Sequence, residues 1–163
     1  MRLYLVRHGK AEFGADSDAQ RRLSPRGRAD VDALGAHLAQ QEIPIARIVH
    51  STLVRAGETA GILGSYLAPN LVPEEIDGIE PWGDIKAFAK MAGQWSEPTM
   101  VCGHEPFMGQ AVSQLVTGNP HAGLVEVKTG TIMALSHDHY GPGWTLRWVL
   151  NPRVVRGPKT MED

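Results

Sequence analysis

A short apolar run over residues 3–6 stops at Arg7-His8-Gly9, and the same kind of ending recurs twice. Residues 45–49 give way to His50-Ser51-Thr52, and residues 99–102 to Gly103-His104-Glu105-Pro106. Short apolar runs bounded in this way read as buried strands. A buried strand has no use for an Arg-His pair, so these residues leave the sheet at its edge. In open α/β sheets, ligands bind outside the carboxyl ends of the strands.

Helical segments separate the runs. Ser24-Pro25 supplies an N-cap and a first-turn proline. The helix that follows, reaching residue 41, places Val31, Leu34 and Leu38 on one face. A second helix is predicted over 53–67, where Ala56, Ala60 and Leu63 share a side and three glycines weaken the pattern. Further along come a short strand at 71–74, a Gly/Pro loop at 76–84, and helices at 85–91 and 107–116. Residues 125–128 and 131–136 read as paired strands around Thr129-Gly130. After a turn at 137–143, residues 145–150 alternate as a last strand. Residues 151–163 are Pro-containing and charged, the pattern of a loosely held tail. Strand-helix order followed by a run of strands predicts an α/β layered fold whose mixed sheet is parallel in its first part. A length of 163 residues fits a single domain, and no linker or internal repeat divides it.

If the three interrupted strands are parallel neighbours, their ends bring Arg7, His8, Arg55 and His104 to one cleft. Arg55 lies one turn into the helix that follows Ser51. Gly9 would let the backbone turn sharply and approach a ligand. Two arginine forks beside two histidines suit a phosphate-type anion, and helix starts beside these strands add backbone N–H groups.

Composition narrows the partners. A net charge of −2 leaves no broad nucleic-acid footprint, so an anion site must be local. No apolar stretch approaches the roughly 20 residues of a membrane span. Cys102, the single cysteine, excludes an internal disulfide and fits a reducing cytoplasm. It is a core residue here: a phosphatase loop of Cys-x5-Arg type needs arginine where Met108 stands. His137-Asp138-His139 lies in a Gly/Pro turn without a third ligand and reads as solvated; no metal or other cofactor is expected. His37 and His121 read as surface residues. Trp144 and Trp148, four apart, are placed on one strand face in the core. Trp82 sits on a loop that can wall a pocket. No P-loop, dinucleotide fingerprint or Gly-x-Ser-x-Gly elbow is present.

Arg7-His8-Gly9 after an N-terminal strand resembles the signature of the histidine phosphatase superfamily, the phosphoglycerate-mutase-like fold. The stretch from Ser51 through Arg55 and Thr59 to Ala60 resembles that superfamily's Ser-Pro-x-x-Arg-Ala-x-x-Thr-Ala element. Gly103-His104-Glu105-Pro106 is similar to its second-histidine motif. The segment Asp18-Ala-Gln-Arg21-Arg22-Leu23-Ser24-Pro-Arg-Gly27 resembles the Asp-x-x-Arg-Pro-Leu-Thr-x-x-Gly segment of the short SixA-like phosphohistidine phosphatases. Arg22 and Thr52 stand where proline is usual.

The resemblance implies a three-layer α/β/α fold with a mostly parallel mixed sheet and no large helical lid. It implies His8 as the nucleophile that accepts a phosphoryl group. Arg7, Arg55, His104 and Arg21 would bind its oxygens, with Asp18, Gly9 and Ser51 lining the site. The activity implied is a metal-independent hydrolase, a phosphatase acting on phosphohistidine of a signalling or phosphotransfer protein. A small-molecule phosphomonoesterase of the same fold, acting on a small phosphate ester, is the alternative, and a non-catalytic phosphate-binding module a third. The general acid of the ester-cleaving relatives has no clear counterpart among Glu74, Glu75, Glu80 and Asp84.

Overall fold

The computed structural model describes residues 1–138 and 143–157. Its six strands form one sheet in the order β3-β2-β4-β1-β5-β6. Strands β1 (Arg2–Arg7), β2 (Arg47–His50), β3 (Glu74–Glu75) and β4 (Thr99–Gly103) run parallel, while β5 (Ile132–His137) and β6 (Trp144–Leu150) are antiparallel additions. The mostly parallel mixed sheet expected from the sequence is present.

Helices cover both faces. On one, α1 (Pro25–Leu38) and α2 (Val54–Leu67) bury Val31, Leu34, Leu38, Ala60 and Leu63 against Tyr4, Val6, Ile48, Met100 and Cys102. On the other, α3 (Ile85–Gly93) and α4 (Phe107–Thr117) bury Phe88, Phe107, Met108 and Val112 against Leu3, Leu5, Val49, Val101 and Met133. Alternate residues of β1 thus serve opposite cores, as the two-residue period of a strand requires. The Ser24 hydroxyl caps α1 by accepting from Gly27 N–H, and Asp84 caps α3 through Lys86 and Ala87 N–H. Among the described residues no helix is long and apolar enough to cross a membrane.

Besides β3, which lies at Glu74–Glu75 where the sequence predicts a strand at 71–74, the structure differs from the sequence reading in three places. Residues 125–128 form no strand; Thr131 N–H bonds back to Lys128 C=O, and the segment passes across the carboxyl end of β1. Trp144 and Trp148 do not share a face. The pairing of β5 with β6 slips between Ala134 and Leu135, so Arg147 is an extra residue in β6. A bulge of this kind reverses the alternation. Trp144 therefore packs with the α3/α4 core, and Trp148 lies over Tyr4 on the other face. Third, the segment expected as a loosely held tail forms α5 (Pro152–Arg156) at its start. Asn151 caps this helix, Pro152 is buried, and Arg156 pairs with Asp30 of α1. Residues 158–163, and His139 with most of the expected 137–143 turn, lie outside the described residues.

Candidate active site

Parallel register brings the interrupted strand ends level. Arg7 stands opposite Gly103 across the β1–β4 ladder, and His50 stands opposite Cys102 across β2–β4. The next residues along each strand, His8, Ser51 and His104, are therefore neighbours. His8 N–H donates to Gly103 C=O at 2.9 Å and Ser51 N–H to Cys102 C=O at 3.1 Å. The imidazoles of His8 and His104 lie with centroids 5.0 Å apart.

His8 is held through one nitrogen. Its Nδ1 lies 2.6 Å from Gly9 C=O. A carbonyl oxygen can only accept, so the proton sits on Nδ1 and the lone pair on Nε2. Arg55 Nε–H approaches that Nε2 at 3.3 Å. The ring is 9% exposed, and its pKa falls to about 4. Burial is the first cause. The Gly9 carbonyl opposes the fall, and the charges of Arg55, Arg7 and Arg21 add to it. His104, 1% exposed, falls to about 3, through burial first and then the charges of His8 and Arg55. Both rings are neutral near pH 7.

The arginines are anchored by oxygens that carry no site chemistry. Arg7 Nη1–H donates to Val127 C=O at 2.7 Å, which is where the 125–128 segment spends its carbonyl instead of pairing in a hairpin. Arg55 gives Nη1–H to Asp18 C=O at 2.7 Å and Nη2–H to Asp18 Oδ2 at 3.1 Å. Asp18 Oδ1 accepts from Arg21 Nη1–H at 3.1 Å, and Arg21 Nε–H bonds Glu12 C=O. These two arginines lower the Asp18 pKa, Arg21 foremost. Asp18 is thus an anion that spaces two cations. Two buried nitrogens are left over. Arg7 Nε and His104 Nδ1 are buried and have no hydrogen-bond partner.

The remaining sequence candidates have structural places. Gly9 has no positive φ, so no left-handed turn calls for glycine there. Its need is for space: a Cβ would lie 2.8 Å from Val31 Cγ2 and 3.0 Å from Gly27 C=O. Ser51, fully buried, turns its hydroxyl to His104 Nε2 and Leu53 N–H. Glu80 is buried, accepting from Thr52 Oγ1–H and Gly78 N–H. Asp84 caps α3, and Glu74 and Glu75 are exposed on the edge strand. The four carboxylates considered for the general acid are therefore engaged elsewhere or outside the cleft. The two positions where proline is usual carry polar ties: Thr52 to Glu80, and Arg22 to Glu58 at 2.7 Å.

Several contacts escaped sequence reasoning. Thr59 Oγ1 accepts from Gly9 N–H at 3.1 Å. Glu58 accepts from Arg22, from Arg28 and from Leu23 N–H, which pins the end of the loop carrying Asp18 and Arg21. Gly130 N–H is shared between Arg7 C=O and His8 C=O, at 3.1 and 2.9 Å. Glu105, half-buried beside Arg7, has its pKa raised by burial, against a bond from Gly109 N–H.

Comparison with known proteins agrees with this arrangement. Over its whole length the chain is similar to the phosphohistidine phosphatase SixA of Escherichia coli (strain K12), 26% identical over 165 residues that span 99% of this chain and 100% of that one. A structure of the protein histidine phosphatase SixA complexed with tungstate superposes with a TM-score of 0.85 at 25% identity, covering 95% of this chain and 99% of the other. The fold also matches a SixA-type protein from Agrobacterium tumefaciens, with a TM-score of 0.78 at 23% identity over 93% and 97% of the two chains. The sequence profile of the histidine phosphatase superfamily (branch 1) matches residues 3–80, the span that carries Arg7-His8-Gly9 and Arg55. The chain is thus similar to members of the histidine phosphatase superfamily, by its sequence over residues 3–80 and by its fold over 95% of its length.

Proposed function

We propose that this protein is a phosphohistidine phosphatase that works through a phospho-His8 intermediate without a metal ion. The observation that carries the reading is a neutral His8 with two buried, unpartnered nitrogens in its neighbours, Arg7 Nε in the preceding residue and His104 Nδ1 in the imidazole 5.0 Å away. Buried polar groups are ordinarily satisfied. Two such groups in one cleft call for an acceptor with several oxygens, and a phosphoryl group is one. Full-length similarity to a phosphohistidine phosphatase, and a tungstate complex of that type of protein, support the same reading.

In the first step the His8 Nε2 lone pair forms a bond to phosphorus as the substrate's P–N bond breaks. The leaving imidazole nitrogen takes a proton from solvent. In the second, water attacks phosphorus, the P–Nε2 bond breaks, and inorganic phosphate departs with His8 restored. Phosphoryl transfer is mainly positioning and charge stabilisation of equatorial oxygens. Arg7, Arg55 and Arg21 supply that charge with fixed bidentate geometry. Asp18, held ionised by its arginines, orders them rather than donating a proton. A P–N bond has a readily protonated leaving group, so the absence of a free carboxylic acid among the four considered is tolerable. Two exposed aromatics, Phe13 against Arg21 and Trp82 two residues after the Glu80 that holds Thr52, suit a protein substrate. The same reading places the enzyme in a reducing cytoplasm, where it would act on a signalling or phosphotransfer protein.

The test is kcat/KM on a phosphohistidine-bearing protein beside a panel of sugar and nucleotide phosphates, with EDTA present throughout. Preference for the phosphoprotein with chelator-resistant turnover is expected. A clear preference for one ester would move the assignment to a small-molecule phosphomonoesterase.

A further inference from the structure

We infer that Ser51 is a positioning residue that sets the tautomer of His104, keeping its proton on Nδ1 as a donor into the cleft. Ser51 has no exposed surface, and its oxygen has two partners, Leu53 N–H at 3.3 Å and His104 Nε2. A backbone N–H can only donate, so the first contact takes a lone pair of the hydroxyl oxygen. The hydroxyl hydrogen then has His104 Nε2 as its acceptor. Nε2 must therefore hold a lone pair, and the ring proton belongs on Nδ1.

The opposite tautomer fails at Ser51. With the proton on Nε2, Ser51 oxygen would accept twice and its own hydrogen would be buried without an acceptor, which is costly. With the proton on Nδ1, by contrast, both atoms of the Ser51 hydroxyl are satisfied. Protonating both nitrogens meets the same obstacle at Ser51 and adds a charge to a cleft that already holds Arg7 and Arg55.

The consequence is a division of labour between two rings of the same tautomer. His8 uses its Nδ1 proton on Gly9 and offers a lone pair. His104 uses its lone pair on Ser51 and offers a proton. The inference rests on His104 facing the bound phosphoryl group, and its first test is independent of which phosphate is the substrate.

Long-range proton–nitrogen NMR on the full chain labelled with ¹⁵N-histidine reads the tautomer directly, with His8→Gln and His104→Gln for assignment. Wild type should show His104 Nδ1 protonated and Nε2 unprotonated. Ser51→Ala should shift population toward the Nε2–H tautomer. It should lower kcat by about 10–100-fold with KM little changed, less than the roughly 10²–10³-fold loss expected on removing a donor outright. Ser51→Thr, which keeps the hydroxyl, should restore the wild-type tautomer and most of kcat. A wild-type His104 protonated on Nε2 overturns the inference whether or not any variant folds. So does a folded Ser51→Ala protein with unchanged tautomer and unchanged kcat.

Discussion

His8 and His104 are tethered through opposite nitrogens. Gly9 C=O holds His8 at Nδ1, Ser51 Oγ holds His104 at Nε2, and the rings meet at 51° with their other nitrogens left to the cleft. Neither tether is a charged group. The Gly9 carbonyl raises the basicity of His8, but burial outweighs it, and the ring stays neutral in the presence of arginine.

Replacing His8 should therefore remove chemistry and spare the fold. His8→Gln is expected to abolish turnover and to form no acid-labile, base-stable phosphoenzyme in rapid-quench labelling. Its circular dichroism should match wild type, since the backbone bonds of residue 8 persist. Label mapped to another residue in wild type would refute the nucleophile assignment.

The depressed histidine pKa values set a pH dependence of stability. Folded values of about 4 for His8 and about 3 for His104 lie below the ordinary 6.5, so the unfolded chain binds more protons between these limits. Their contribution is complete above pH 6.5 and is lost as pH falls toward 4 and then 3. Urea denaturation from pH 7 to pH 4 should show a steeper decline for wild type than for the His8→Gln/His104→Gln double variant. Equal slopes would show that the rings are not held neutral by burial.

Glu58 should act on binding at a distance. It ties Arg22, Arg28 and Leu23 N–H, and so closes the loop that presents Asp18 and Arg21. Glu58→Ala leaves the Leu23 amide without its acceptor, for a destabilisation of about 1–3 kcal/mol. KM is expected to rise more than kcat falls, and limited proteolysis should cut first within residues 12–22. Unchanged KM with a protease-resistant loop would deny the coupling.

The exposed aromatics Phe13 and Trp82 should separate protein from small substrates. Phe13 is 86% exposed, with Arg21 over its ring, and Trp82 is 76% exposed on the loop tied to Thr52 through Glu80. Alanine at both positions should raise KM for a phosphohistidine protein several-fold, roughly the cost of one or two peripheral interface contacts. Turnover of phosphoramidate, which carries no protein surface, should stay as in wild type. Parallel losses on both substrates would place these rings in the chemistry instead.

The convergence of Arg7, His8, Arg55 and His104 was legible because charge and glycine interrupt apolar runs at matching strand ends. Other features were not, for physical reasons. The acceptor for His8 is a backbone carbonyl, a group every residue carries, so nothing in the sequence marks Gly9 for it. Val125 and Val127 alternate as a strand would, yet a guanidinium competes for the carbonyl that a hairpin would use. The placement of Trp148 turned on one extra residue in β6, which a period-two pattern does not contain. The role of α2 was half visible: Arg55 and Thr59 belong to a motif, whereas the motif does not mark the contact of Thr59 with Gly9 N–H or the ties of Glu58 to the 22–28 segment.

Gly130 links the later part of the chain to the backbone of Arg7 and His8. Its N–H clasps the carbonyls of Arg7 and His8, its φ is +77°, and a Cβ there would sit 2.6 Å from Pro152 Cγ. The ring of Pro152 thus backs the clasp from behind, like a wedge driven against a hinge pin. A chain cut before residue 152 would keep all the side chains assigned to the cleft. What it would lose is the Pro152 ring packed behind Gly130, the residue whose N–H holds the carbonyls of residues 7 and 8.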